Sequence, residues 1–440
     1  MSAWDALFAF WRLDDPNVLW VTLGMALLGA SSGLIGTFAV LEKRALLGDV
    51  LAHAALPGVT MAFFLFHTRE PLVILLGAAA AGLLAWGLID LLTRRARLRQ
   101  DSALAIVLSL FFALGILQLT WLQRQPLANQ AGLDKFLFGQ AASLTDADLY
   151  LLGTVALGLI LLTALLFDRL RLILFDRQHA LALGVPVRHY ELLLAAMLVC
   201  AVVIGLQLAG VVLMAALLLT PAATARLLSD RLRPMLFIAM TLGVLAGVTG
   251  ANVSYLAPRM PTGPWMVVAL SLFFIAALLL APQRGLLPRA LRQRSLRRRV
   301  EEENILRTLF KLHEETSVDT LWSQDDIRHH RPLGAARLNR ILQRLHREGM
   351  LDGTPERMRL SAAGLKRATT LTRGHRLWET YLENRLGLSP ERAHFAAEAA
   401  EHVLDEATCA TIERELGRPS TDPHGRPIPE RPNAAEAPSR

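Results

Sequence analysis

Long apolar runs separated by short polar breaks fill the first two-thirds of the chain, and each run approaches the ~20 residues that a helix needs to cross a bilayer. Such runs fall at 19–41, 46–66, 71–93, 102–122, 147–168, 190–208, 209–228, 234–255 and 264–283. They predict an all-α polytopic membrane domain of about nine transmembrane helices over residues 1–283. Past Pro282 the pattern changes. Arg284, Arg289, Arg292, Arg294, Arg297, Arg298 and Arg299 form a basic linker, 284–299, with no acid among them. Beyond it apolar residues recur at helical spacing instead of in runs. Ile305, Leu306, Leu309 and Leu312 predict a helix over Glu301–His313. A second is expected near Asp325–His330 and a third over Leu333–Gly349, with Leu338, Ile341, Leu342 and Leu345 on its core side. Gly349–Leu360 reads as two short strands around a turn. The prediction is a cytoplasmic α+β winged helix over 300–365, then a helical region and tail over 366–440.

Composition makes the membrane reading firm. The 440 residues are 53% hydrophobic and only 19% charged, whereas soluble domains carry nearer one-quarter charged residues. Lys and Arg favour cytoplasmic loops. One alternate set of loops holds Lys43, Arg44, Arg94, Arg95, Arg97, Arg99, Arg169, Arg171, Arg177, Arg188, Arg226, Arg231 and Arg233; the other holds Arg12, Arg69, Arg124, Lys135 and Arg259. The N-terminus is therefore expected outside and the C-terminal domain in the cytoplasm, as an odd number of spans requires. The arginine belt, which supplies most of the net charge of +8, suits anionic inner-leaflet lipid. Residues 1–17 lack a basic stretch followed by an apolar core and small-residue cleavage site, so no cleaved leader is expected. Cys200 and Cys409 do not make a disulfide framework.

Candidate chemistry begins in the second run. Asp49 and His53 stand four apart, on one helical face. An ionisable group at membrane depth costs several kcal/mol unless it faces protein or water, so it marks an ion or substrate path by default. The alternative is a pair that merely locks its helix. In the inner loop Leu174–Pro186, a short helix is stopped at Gly184 and Pro186. Its small residues Ala180, Ala182 and Gly184 are expected to present a low-relief surface for another protein; a helix resting on the bilayer is the alternative. In the outer loop, Leu133–Gly139 is a short amphipathic piece expected to cap the path. Small residues at close helical spacing, among them Gly24, Gly29, Gly33, Gly36, Gly243, Gly247 and Gly250, are expected to let helices approach closely in lipid.

Gly48-Asp49-x-x-x-His53-Ala54-x-x-Pro57-Gly58, after the charged turn Leu41-Glu42-Lys43-Arg44, resembles the permease subunits of bacterial ABC importers for manganese, zinc and iron over residues 15–283. The resemblance implies that Asp49 and His53 face the translocation path. It also implies that the Phe-Asp-x-x-x-Ala-x-x-x-Gly loop, with Asp176, Ala180 and Gly184, docks on an ATPase subunit. No Gly-x-x-x-x-Gly-Lys-Ser/Thr pattern occurs in the chain, so no ATP is expected to bind here and the ATPase is expected as a separate polypeptide. His313-Glu314 lacks the second histidine of a zinc-protease motif, with Ser317 in its place.

In the C-terminal region Glu398, Glu401 and His402 lie at i, i+3 and i+4, and His375 with Glu379 form another i, i+4 pair. Carboxylates and imidazoles without thiolate favour manganese or ferrous iron, with zinc as a third choice. Arg337, Arg340, Arg344 and Arg347 make a row suited to phosphates and base edges, or to lipid headgroups. His375-Arg376-Leu377-Trp378-Glu379, His394, Glu398–Glu406 and Pro423-His424-Gly425-Arg426-Pro427-Ile428-Pro429 resemble metal-dependent repressors of the diphtheria-toxin-repressor type over 300–430. That resemblance places Glu398, Glu401 and His402 on a main metal site and His375, Glu379 and His394 on an ancillary one. His424 lies on a signature of the family and receives no ligand role. Asn304 stands where a stronger ligand is expected and Arg307 where manganese-type regulators carry an acid, which implies altered metal activation.

The expectation is a permease that moves a divalent transition metal, delivered by an extracytoplasmic binding protein and driven by a partner ATPase. A second permease chain, identical or different, completes the pore. The fused domain senses metal, with DNA as a further partner. A membrane-tethered, metal-dependent transcriptional regulator is the alternative; it leaves Asp49 and His53 without a task.

Overall fold

The computed structural model describes residues 10–12, 15–42, 44, 46–68, 70–124, 139, 144–256, 260–316, 320–354, 356–400 and 405–431. The chain divides into two compact units, 1–289 and 290–440. Among the described residues of the first, nine helices are long and apolar enough to cross a membrane. They are α1 (Pro16–Leu41), α2 (Leu47–Phe66), α3 (Pro71–Arg94), α4 (Gln100–Gln123), α5 (Asp146–Phe175), α7 (Val187–Ala209), α8 (Val211–Leu228), α9 (Leu232–Leu256) and α10 (Thr262–Leu280), with the short α6 (Arg177–Ala182) between α5 and α7. Of the outer-loop piece Leu133–Gly139, residues 133–138 lie outside the described residues.

Local chemistry sets the helix ends. Asp15 accepts from the Asn17 N–H and Pro16 occupies the first turn of α1. Thr145 and Asp148 form a capping box at the start of α5. That helix runs on to Phe175, past the expected end at 168. An apolar run stops at the first charges, Asp168 and Arg169, but the backbone there continues to make its own hydrogen bonds whether or not lipid surrounds it.

Packing explains the glycines. The series on α1 meets the series on α9: a Cβ on Gly29 would stand 2.1 Å from the Gly243 carbonyl oxygen, and one on Gly243 2.0 Å from that of Gly29. In the same way α2 presses on α3, where a Cβ on Gly58 would stand 2.1 Å from the Gly77 carbonyl oxygen. Such backbone-to-backbone approach is how helices gain contact in lipid, where the hydrophobic effect no longer discriminates.

In the second unit, α11 (Leu286–Glu315, which begins before the unit boundary), α12 (Gln324–His330) and α13 (Ala335–Arg347) accompany a three-stranded antiparallel sheet of order β1-β3-β2. Its strands are β1 (Trp322–Ser323), β2 (Leu351–Thr354) and β3 (Arg357–Leu360). The hairpin registers Leu351 with Leu360, and Trp322 of β1 pairs with Met358. Two residues are too few for any alternation to show, so β1 had no signal in the sequence. Ile305, Leu309, Trp322, Ile327, Leu338 and Leu342 lie together in the core. Then follow α14 (Ala362–Leu386), α15 (Pro390–Ala400) and α16 (Glu406–Glu415).

A Gly58→Val substitution is expected to force α2 and α3 apart, at about 1–3 kcal/mol for overpacking. The measurement is the melting temperature of the detergent-purified protein; an unaltered value would mean the two backbones do not touch at this point.

Candidate metal sites

Asp49 sits in the first turn of α2, where the helix dipole favours a carboxylate. His53 follows one turn later. Its Nε2 lies 3.5 Å from Asp49 Oδ1, at the limit of a polar contact, and the two side chains are 21% and 32% exposed. The His53 Nδ1 is enclosed and has no hydrogen-bond partner. Phe112 of α4 closes the edge of the ring, centroid to centroid 5.0 Å. Pro57, inside α2, has no N–H to give to the carbonyl of His53 four residues earlier. A locking pair alone would leave one ring nitrogen unspent in an apolar setting. A carboxylate oxygen and an imidazole nitrogen one helical turn apart suit a divalent cation. Further along α2, Thr60 Oγ1 donates to Gln118 Oε1 of α4 at 2.6 Å.

At the other element singled out from sequence, Asp176 caps α6 by accepting from the His179 N–H at 2.9 Å. Gly184 takes φ +72°, and the Val185 N–H returns to the Ala180 carbonyl at 3.0 Å, folding the chain back. The expected face is corrected here. Ala180 is wholly buried against Val185 and Val187 and holds α6 down, while Ala182 and Gly184 stay exposed. Leu181 and Leu183 join them, 53% and 59% exposed. The sequence reading passed over these leucines because apolar residues in a short amphipathic helix are ordinarily its buried side.

In the second unit, α14 supplies His375 and Glu379 and α15 supplies His394. His375 Nε2 is 3.2 Å from Glu379 Oε1 and 3.3 Å from His394 Nδ1, and His394 Nδ1 also bonds Glu379 Oε1. Burial acts to raise the Glu379 carboxyl, but the hydrogen bonds and charges of His375 and then His394 outweigh it and hold the pKa at about 2, below the usual 4.5. A second group shares Glu379 and adds Asp422 and His424; in each group the ligand atoms lie within 4.8 Å of one another. Asp422 Oδ1 accepts from the backbone N–H groups of His424 and Arg426, at 3.0 and 2.8 Å, which ties the turn together and brings its ring to the site. Neither residue was proposed as a ligand from sequence, since a separation of 43 residues between Glu379 and Asp422 carries no periodic relation; the only signal was the Pro-His-Gly-Arg-Pro stretch itself.

Both groups line one open cleft of about 360 Å³. Glu398 lines it too, ion-paired with Arg331 at 3.1 Å. Glu401 and His402 lie outside the described residues. Asn304, buried, also lines the cleft and its Oδ1 has no partner. An orphaned acceptor beside imidazoles and carboxylates fits a metal. Arg307, at the same wall, opposes it by charge.

The arginine row divides. Arg337 pairs with Glu301, and Arg344 with Glu302 at 2.7 Å. Arg340 and Arg347 donate to the carbonyls of Ala336 and Gln343 in their own helix, at 3.2 and 3.3 Å. Placing four arginines on one helical face said nothing of the acids that α11 brings against two of them.

Residues 14–281 match the ABC 3 transport family, and residues 361–430 match the iron dependent repressor, metal binding and dimerisation domain. The chain is 40% identical over 379 residues to the manganese transport system membrane protein MntC of Bacillus subtilis (strain 168), covering 86% of this chain and 87% of that one. It is also 40% identical over 294 residues to the zinc transport system membrane protein TroC of Treponema pallidum (strain Nichols), covering 67% and 97%. Among solved structures it resembles PsaBC from Streptococcus pneumoniae in complex with Fab, with TM-score 0.56 and 29% identity over 63% of this chain and 96% of that one.

A carboxylate whose folded pKa is depressed contributes stability above its unfolded value and loses it as pH falls through the folded one. In metal-free protein the contribution of Glu379, on the order of 2 kcal/mol, is therefore expected to vanish between pH 4.5 and about 2. Thermal unfolding at pH 5 and pH 3 should show a smaller acid loss in Glu379→Gln than in wild type; equal losses would contradict the assignment.

Proposed function

We infer a function from one premise: this chain belongs to the ABC 3 transport family. It is the membrane permease of an ABC importer for a divalent transition metal, joined to a metal-binding regulatory domain of the iron-dependent-repressor kind. The observation that carries the transport reading is the Asp49–His53 pair with its unspent nitrogen inside an apolar helix. A divalent ion shedding water needs replacement donors, and Asp49 and His53 supply them from a largely apolar helix. The loop charges support an N-terminus outside and the second unit in the cytoplasm.

The remaining parts follow from what the chain lacks and what it exposes. With no phosphate-binding loop in the sequence, ATP is hydrolysed by a separate ATPase, which seats on α6 through Ala182, Gly184, Leu181 and Leu183. An extracytoplasmic binding protein delivers the ion, and a second permease chain encloses the pore. The named relatives divide between manganese and zinc; the oxygen and nitrogen donors favour manganese or iron over a soft metal.

In the second unit a regulatory metal would be held by His375, Glu379 and His394, by Asp422 and His424 with the shared Glu379, and by Glu398, Glu401, His402 and Asn304. When bound it supplies positive charge that draws α14, α15 and the Asp422 turn together. This domain serves feedback: its site fills when internal metal is high, and transport slows. The pairing of Arg337 with Glu301 and Arg344 with Glu302 weighs against a DNA-reading role, because phosphate would have to displace both acids.

Asp49→Asn combined with His53→Ala is expected to cut cellular uptake of manganese at least tenfold while the protein remains in the membrane. Uptake at the wild-type rate would remove the path assignment. Glu379→Ala with His394→Ala should leave initial uptake intact and abolish its inhibition in metal-loaded cells; inhibition that persists in the mutant would exclude feedback through this cleft.

A further inference from the structure

Glu191, in the first turns of α7, is the meeting point of charges from elements far apart in the chain. Its Oε1 accepts from Arg177 Nε, the first residue of α6, at 3.0 Å. Its Oε2 accepts from Arg94 Nη2, the last residue of α3, at 2.7 Å. Arg94 Nε in turn bonds Asp90 one turn back on α3. The glutamate side chain is 14% exposed while its two arginines are 53% and 42% exposed. Using both oxygens on two different helices fixes the carboxylate in rotation as well as position, and bonds between two ionised groups are roughly twice as strong as neutral ones.

A third element reaches the same residue. Glu42, Arg44 and Leu47, at the turn from α1 into α2, share with Glu191 and Trp86 a small cavity of about 20 Å³, room for a single water. Burial pushes the Glu42 carboxyl up, Arg44 draws it down, and the nearby Glu191 adds to the rise. Leu47 is the first residue of α2, and Asp49 lies two positions on. The same helix is pressed to α3 at Gly58 and Gly77.

An ordinary exposed ion pair contributes little to stability, ~0–1 kcal/mol, and a stabilising role alone would not call for one carboxylate to engage both the docking helix and α3, which is packed on the helix that carries Asp49 and His53. Resting on the transport reading above, we propose that Glu191 is the positioning residue that transmits displacement of the ATPase-docking helix α6 to α2 and α3, and so to Asp49 and His53. When α6 shifts, Arg177 carries the carboxylate with it. Arg94 and α3 follow, and through the close contact of α3 with α2 at Gly77 and Gly58 the spacing of the path donors changes. Loss of the carboxylate leaves α6 free to move without them.

The test uses the full chain with its ATPase in proteoliposomes, with manganese as the ion, and reads manganese ions transported per ATP hydrolysed. Glu191→Gln keeps the shape of the side chain and removes the charge. It is expected to lower that ratio at least tenfold while hydrolysis stays within twofold of wild type. Arg177→Gln should do the same, and the double substitution should be no worse than either single one, because residues in one linkage are not additive. An unchanged ratio in Glu191→Gln, a proportional fall of uptake and hydrolysis together, or additive losses in the double variant would each overturn the proposal. Should Glu191→Gln fail to reach the membrane, Arg177→Gln, which leaves Arg94 on Glu191, decides by the same ratio. Wild-type protein that moves no manganese on ATP hydrolysis sinks the transport reading and this inference with it; wild-type transport with an unaltered variant ratio sinks the inference alone.

Discussion

An ionised or hydrogen-bonding group in hydrocarbon must find a partner or cost several kcal/mol, and the membrane unit is arranged around that requirement. Among the described residues, the backbone of the spans meets it by being helical. Threonines do so locally, as Thr37 and Thr163 donate to carbonyls one turn back at 2.8 and 2.7 Å. Among the described residues of this unit, the buried side-chain atoms left without a partner are Ser32 Oγ, Asn252 Nδ2 and His53 Nδ1, and of these residues His53 stands one turn from a carboxylate, Asp49. On the transport reading proposed above, a dehydrating cation is the partner whose chemistry this nitrogen and the neighbouring carboxylate match.

The same constraint separates the two ends of α2. Near its start, charges are many and paired: Glu42 with Arg44 at 3.5 Å, Glu191 with Arg94 and Arg177. Toward Phe66 they give way to apolar residues, with Phe64 stacked edge-on against Trp121 at 5.1 Å. Motion delivered at the charged end therefore acts on a helix whose other end is held by apolar packing and by the Thr60–Gln118 hydrogen bond. The close contacts Gly29–Gly243 and Gly58–Gly77 make such packing stiff, since backbones already in touch leave no side chain to yield.

In the second unit, one carboxylate again does the organising. Glu379 is shared by both groups of potential ligands, and its depressed pKa reflects two histidines that reach it from different helices. His375, Glu379 and His394 bond one another, so a metal held there would trade hydrogen bonds for coordination. Arg376, buried beside them and bound to Glu314 and to the Pro427 carbonyl, each at 2.6 Å, pins the Asp422 turn.

Much of this was legible in the sequence. Runs of apolar residues near the bilayer length determine the nine long apolar helices among the described residues, because helix length in lipid is a property of composition and rise per residue. An i, i+4 spacing determines that Asp49 meets His53 and that His375 meets Glu379, because both members lie on one helix. What spans elements was decided only by tertiary structure. That Ala180 turns inward, that Glu301 and Glu302 occupy two arginines of the row, that Asp422 and His424 join Glu379, and that Arg94 and Arg177 converge on Glu191 each depends on how separate segments pack. Local spacing carries no term for the distance between residues on different helices, so contacts of that kind exist only once the chain has folded.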